Sequence, residues 1–473
     1  MAEIYLIYAR EDEQVARNLV ERLSPRWSVW WDKLVKERFS DEIVAEMAKA
    51  SCAVVLWSKS SRIKDTIIDE VKLAKKQPLN IVCASLDGSE PAYGFGGYST
   101  SDLEGWTGEA DHLGYQALFD RLVSVLPAPL PPSQPTTLAN GRVPLPALFL
   151  SVSSFETQLV PEGAIRALAL ARAPTILVSA WDFVGRRKPE ALISALQDYR
   201  ETGGFILLDS GNYEASRLST KQWRIGDFQE ALAAAPHDWV FGFDKMRKSW
   251  PKKERTVEKI TSTIVEATLR DQGFTPAPIL PVVHAPQLST SGYLVDVIPE
   301  VTRRVAEILK PAMIGIPERE LGAGMGQRVK TMQAIRRELA KLPFYQPVHL
   351  LGTGNPWTVA IMAAAGADTF DGLEWSRVIV DHQNDRLNHF QHFDLFTDQT
   401  QFADLSVARE AMNDEKVDFA GKAALHNIDY FLRYAQELRE ASSHGRLEGF
   451  VNKRLPKVAV EMLHRVTEGL FDQ

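Results

Sequence analysis

The chain has 473 residues, 45% of them hydrophobic and 24% charged, an ordinary globular composition too long for one core, so two domains are expected. A net charge of −7 excludes a global attraction to nucleic acid or anionic membrane and leaves only local patches for such contacts. Two cysteines, Cys52 and Cys83, cannot build a thiolate zinc cage, and no apolar run approaches the ~18 residues that span a bilayer. The N-terminus enters a strand directly, without a signal-peptide pattern, so a cytoplasmic protein with no membrane partner is expected.

Ile4–Tyr8 reads as a strand, and Glu11-Asp12-Glu13 as the acidic start of a helix carrying Val15, Leu19 and Leu23. Ser28–Trp31 is a second strand, and Ile43, Met47 and Ala50 mark a second helix. Ala53–Trp57 is a third strand, apolar throughout as buried parallel strands are. It opens into a helix in which Ile67, Val71 and Ala74 recur at helical spacing and Glu70 lies one turn in. Leu79–Leu86 is strand four, and His112–Leu126 is a closing helix with Leu118, Leu122 and Val125 on one face. This alternation predicts a doubly wound parallel sheet over residues 1–126. Asp87–Gly108, rich in Gly, Ser and Tyr, is expected as a mobile rim. Open α/β sheets bind ligands at the carboxyl ends of their strands, where Tyr8, Arg10, Trp31, Asp32, Lys33, Ser58 and Glu70 all fall.

YLIYAREDEQVA, SVWWDK, AVVLWSKSS and DLEGW, in that order, resemble a bacterial-type Toll/interleukin-receptor (TIR) domain. The resemblance implies a flavodoxin-like fold and, in members that are enzymes, cleavage of NAD+ as substrate by a glutamate on the helix after strand three. Glu70 is in register for that role, with Thr66 where the family carries tryptophan. The chemistry is economical. Nicotinamide leaves as a neutral base from a pyridinium and needs no general acid, so one carboxylate facing the oxocarbenium-like ribose is enough. Tyr8 and Arg10 would then meet base and phosphate, with Trp31, Asp32, Lys33 and Ser58 around them. Other TIR domains are adaptors; Glu70 together with Trp30-Trp31-Asp32-Lys33 favours an enzyme.

Pro127–Pro146 is rich in proline and polar residues and reads as an extended spacer. Eight apolar runs follow over 147–473: Ala147–Val152, Thr175–Ser179, Phe205–Leu208, Trp239–Phe243, Ile279–Val283, Met313–Ile316, Val348–Leu351 and Asp368–Phe370. With helical patterns between them they predict a (β/α)8 TIM barrel. Lys422–Phe450 adds a C-terminal helical segment with Ile428, Phe431, Leu432, Ala435 and Leu438 on one stripe. Barrel sites form at the strands' carboxyl ends, where Asp209, Ser210, Asp244, His284, Glu318, Gly352 and Asp371 stand.

LLDSGNYEASR, FGFDKM, DTFDGLEWSR and AALHNIDYFLRYAQELREASSHGRLEGF resemble the tRNA-guanine transglycosylase family. By that resemblance Asp371 matches the nucleophile that attacks ribose C1′, and Asp209 and Asp244 match residues that bind the exchanged base. The chain departs from the family at three places. Its structural zinc site survives only as His426, so no metal is expected. His284 stands for the base-recognising glutamine, and Pro317 and Glu318 occupy positions where small residues usually admit the base. Two basic stretches, Arg186-Arg187-Lys188 and Lys245–Arg255 with Trp250, would flank the pocket and hold phosphates. His389 and His392 form an incidental HxxH. The resemblance to TIR effectors of bacterial defence against phage implies an effector of that kind: a barrel sensing a nucleobase, nucleotide or modified nucleic acid, controlling an NAD+-cleaving TIR domain, with self-association through both. A base-exchange enzyme with TIR as oligomerisation module, and a non-enzymatic scaffold, are the alternatives.

Overall fold

A computed structural model describes residues 3–24, 26–31, 40–109, 112–126, 134–184, 189–218, 223–244, 250–288, 292–467 and 469–471. The chain divides into two compact units, the first of residues 1–133 with 343–345 and the second of 134–342 with 346–473.

In the first unit, β1 (Ile4–Ile7), β2 (Val29–Trp30), β3 (Cys52–Trp57), β4 (Asn80–Ser85) and β5 (Thr100–Asp102) form one parallel sheet ordered β2-β1-β3-β4-β5. Helices α1 (Glu13–Leu23), α2 (Ser40–Met47) and α3 (Asp65–Lys76) connect β1 to β4 in turn, and α4 (Leu113–Val125) follows β5. β1 and β3 are buried along their whole length, and their residues alternate between two cores. Ile4, Leu6, Val54 and Leu56 pack with Leu19, Leu118 and Leu122. Tyr5, Ile7, Val55 and Trp57 pack with Ile67, Val71 and Ala74 of α3. Thr66 is exposed, so α3 holds the sheet without the tryptophan of the family pattern. Both cysteines are buried thiols, and burial, reinforced by Cys83, pushes Cys52 up to about 12.

The rim expected over Asp87–Gly108 is in part structural. Thr100–Asp102 pairs with β4 as an edge strand, and Leu103 and Trp106 are buried. Trp106 stacks on Tyr115 of α4 at 5.3 Å, and Gly114 lets α4 lie against the Asp102 carbonyl, where a Cβ would collide. A three-residue polar edge strand carries no hydrophobic period, which is why the sequence pattern passes over it.

The second unit begins inside the stretch expected as spacer. β6 (Thr137–Leu138) and β7 (Val143–Pro144) pair as a hairpin, and Val143 and Leu145 join the core of the barrel interior. Of the proline-rich stretch 127–146, residues 127–133 lie outside the described residues and 134–146 are folded. The reason is the two apolar anchors, which a compositional reading averages away.

Eight parallel strands follow: β8 (Ala147–Val152), β9 (Thr175–Ser179), β10 (Phe205–Asp209), β11 (Trp239–Phe241), β12 (Ile279–Leu280), β13 (Ile314–Pro317), β14 (Val348–Leu351) and β15 (Thr369–Gly372). Their order is β12-β11-β10-β9-β8-β15-β14-β13, each strand beside its chain neighbour. A bridge between Val282 and Gly315 closes the ring, with Val283 N–H donating to the Gly315 carbonyl at 2.8 Å. Phe149, Leu177, Phe205, Leu207, Phe241 and Leu280 fill the interior, so inside the ring of strands the space for a ligand lies above this packing, at the carboxyl ends. A final hairpin, β16 (Val378–Asp381) with β17 (Arg386–His389), precedes the 25-residue helix Phe419–Ser443, which buries Ile428, Phe431, Ala435 and Leu438. Among the described residues no helix is long and apolar enough to cross a membrane.

Candidate active sites

In the first unit the strand order reverses between β1 and β3, and such a switch point opens a crevice at the carboxyl ends. Tyr8, half-buried, leaves β1 there, with its ring 6.0 Å from that of Trp31. Ser58 leaves β3 and is buried. Its hydroxyl donates to Asp12 Oδ2 at 2.6 Å and accepts from the Ser61 N–H at 3.0 Å, so it shapes the loop as well as the crevice. Asp12 is a residue the sequence reading missed: burial raises its carboxyl above the ordinary range, and Asp87 and Glu11 add to this against the Ser58 hydrogen bond. Asp87, also missed, accepts from the Lys59 N–H at 2.9 Å, and Lys64 pairs with Glu11 at 2.5 Å. Arg10 is exposed. Glu70 is half-buried, in the second turn of α3, the helix that follows β3. Asp32 and Lys33 lie outside the described residues.

In the second unit a cavity of about 270 Å³ opens at the carboxyl ends of the barrel strands. Asp209, Ser210, Asp244, His284, Gly352 and Asp371 line it together. Asp371, at the end of β15, is held by three donors. Ser151 Oγ donates to its Oδ2 at 2.8 Å, and the Gly352 N–H and His349 Nε2 reach its Oδ1 at 2.8 and 3.1 Å. Asp209, at the end of β10, accepts from the Gly211 N–H at 3.2 Å. Burial, followed by the neighbouring carboxyls of Glu214 and Asp244, drives it well above the ordinary aspartate range.

His284 sits between two carboxylates: its Nε2 lies 2.7 Å from Asp244 Oδ2, and its Nδ1 lies 3.1 Å from Glu320 Oε2. Burial opposes a charge on this ring, but Glu320 and Asp244 outweigh it and raise the imidazolium to about 10. Asp244 is lowered in turn: burial works against its ionisation, but His284, Ser210 at 2.5 Å and Asn212 overcome that. The carboxylate that would read a base therefore already accepts three side-chain donors from its own chain.

Glu318 does not line the cavity. The turn Glu318–Leu321 directs it to Arg328 Nη1, 2.6 and 2.8 Å from its two oxygens, while Arg319 faces the cavity and Glu320 turns inward to His284. A one-residue difference of facing in a 3-10 turn is not readable from a string of charged residues. Glu214 and Glu374 also line the cavity and were not singled out by sequence. Both are raised, chiefly by burial. Their signal was present, as carboxyls within five residues of Asp209 and three of Asp371.

The residues near His426 do not fit a thiolate zinc site. The chain's two cysteines lie in the first unit. His426 spends Nδ1 on Thr400 at 3.0 Å and Nε2 on the Val380 carbonyl at 2.9 Å, with the His382 ring stacked 4.0 Å away. The β16–β17 hairpin is held instead by Asn427, whose Oδ1 accepts from the Val380 N–H at 3.0 Å, and by Ile379 packed with Phe390, Phe393 and Ala423. His389 and His392 stand 5.8 Å apart, and no cluster of three or more metal-holding side chains occurs among the described residues. Of the basic stretches, 185–188 and 245–249 lie outside the described residues; Trp250 is buried and its carbonyl accepts from Arg255 at 2.8 Å.

Residues 4–119 match the TIR domain family. The chain is also similar to the tRNA-guanine(15) transglycosylase of Aeropyrum pernix, 22% identical over 320 residues. That match covers 65% of this chain and spans 59% of the length of the relative. A stretch so long has to fall mainly on the second unit, the barrel.

Proposed function

We propose that this TIR domain, joined to a transglycosylase-like barrel, cleaves nicotinamide from NAD+, and that a nucleobase-type ligand in the barrel controls it as part of an anti-phage response. What supports the reading is Glu70, half-buried in the second turn of α3, the helix that follows β3, one of the two strands flanking the switch-point crevice. A carboxylate there meets the charge that grows on ribose as the glycosidic bond breaks, and Tyr8 supplies an aromatic face at the same crevice. Glu70→Ala is expected to abolish nicotinamide release from NAD+ by the full chain, followed by chromatography, while the melting profile stays within ~0.5 kcal/mol of wild type. Unchanged release in the variant refutes the assignment.

A second reading, base exchange in the barrel, is favoured by one specific feature: Asp371 keeps three donors that fix it as a nucleophile would be fixed. Against guanine as the exchanged base stands Asp244, already engaged by His284, Ser210 and Asn212. The named activity of the Aeropyrum pernix relative, transglycosylation in tRNA, is thus the alternative and ligand sensing the first choice. Incorporation of labelled guanine into bulk tRNA would reverse that ranking.

A further inference from the structure

One wall of the barrel cavity is not explained by the expected carboxylates or by the His284 clamp. Glu374 opens the helix Glu374–Arg377, three residues beyond Asp371, and lines the cavity. Its Oε2 is covered and has no hydrogen-bond partner among the described residues. That oxygen lies in a cradle of backbone at Gly354 and Gly372, where a Cβ on either glycine would collide with the carboxyl group. An ionised carboxylate would leave Oε2 desolvated and unpaired, which is the costly arrangement. Burial, with Asp371 nearby, correspondingly drives the Glu374 carboxyl above its ordinary range. A neutral acid lowers the cost: Oε2 rests as carbonyl oxygen in the glycine cradle, and the proton on Oε1 gives the residue a donor at the cavity it lines, beside the contact of the carboxyl with its own backbone N–H.

We propose that Glu374 reads the sugar of a nucleoside held in the barrel and sets a preference for ribose over 2′-deoxyribose, an inference that rests on the nucleobase reading above. The base end of the cavity has its own polar groups in Asp244, Ser210 and His284. At the other end, Asp371 faces ribose C1′ on this reading, and the 2′-hydroxyl sits on the adjoining carbon. Ser151 Oγ and the Gly352 N–H, which also reach this end, are committed to Asp371. Glu374 is therefore a cavity-lining group near Asp371 with hydrogen-bonding capacity to spare. A 2′-hydroxyl both donates and accepts, and a carboxylic acid is its complement.

The test is calorimetric titration of the full chain with the four ribonucleosides, their 2′-deoxy counterparts and the free bases, for wild type, Glu374→Leu and Glu374→Gln. Wild type is expected to bind at least one ribonucleoside about tenfold to a hundredfold tighter than its deoxy form. Leucine fills similar space without hydrogen bonds and should bring that ratio near one, leaving free-base affinity unchanged; glutamine should restore most of the preference. A wild type without preference, a leucine variant that keeps the wild-type ratio, or one that loses free-base affinity equally, overturns the sugar assignment alone. Failure of every nucleoside and base to bind wild type overturns the nucleobase reading itself, and this inference with it.

Discussion

Removing Glu320 should weaken the pH dependence of the barrel's stability. Glu320 accepts from the Ala285 N–H at 2.9 Å and lies 3.1 Å from His284 Nδ1, while Asp244 takes Nε2 at 2.7 Å. Against burial, the two carboxylates hold the ring at about 10 instead of 6.5. That difference corresponds to about 5 kcal/mol in favour of the charged ring in the folded chain. Because the folded pKa lies above the unfolded one, this stabilisation is complete below pH 6.5 and drains away as pH rises through about 10. From pH 6 to 9 the wild-type barrel should therefore lose about 3 kcal/mol from this group. Glu320→Gln keeps an acceptor for the Ala285 N–H and deletes the charge, so it should cost roughly 2–3 kcal/mol at pH 6 and much less at pH 9. Two units make a single global transition unsafe. Urea unfolding read by pulse proteolysis, with barrel peptides identified by mass spectrometry at pH 6, 7.5 and 9, resolves the second unit alone. Parallel wild-type and variant curves over that range would refute the argument that His284 is a clamped imidazolium.

Ser58→Ala should lower the stability of the first unit by about 1–2 kcal/mol and raise the Asp12 carboxyl further, since it removes a buried hydroxyl bonded to Asp12 and to the Ser61 N–H; carboxyl titration by NMR of the full chain checks the second half. Gly354→Ala should bring the ribose-over-deoxyribose ratio in the calorimeter towards one, because its Cβ collides with the Glu374 carboxyl; a wild-type ratio would show that the cradle is not rigid. If the TIR domain needs a neighbour to complete its cleft, NAD+ cleavage per chain should rise with oligomer size in light-scattering-coupled assays, and full activity in a strict monomer would exclude assembly. Asp371→Ala should blunt triggering of that cleavage by the barrel ligand while Glu70 remains in place.

Much of the fold is legible in the chain because its strands are parallel and covered by helices, so each is a short, continuous apolar run such as Val54-Val55-Leu56 or Ile206-Leu207-Leu208. Eight such runs with helices between them leave a closed barrel as the natural solution, and the eight strands found fall on the eight runs. The chain also determined which residues could meet at a site, because a residue just past a strand must stand at the carboxyl end of the sheet. Asp209, Asp244, His284 and Asp371 were placed that way and share one cavity. Facing and protonation were beyond reach of the string. Glu318 and Glu320 are two residues apart and indistinguishable in sequence, yet one turns to Arg328 and the other to His284. Glu374 is an ordinary helix-start glutamate until Gly354 and Gly372, 20 and 2 residues away in the chain, close around its oxygen. A side chain's direction is set by the local turn, and its charge by neighbours that the fold brings in from distant strands. Both are properties of packing, which no local pattern of residues encodes.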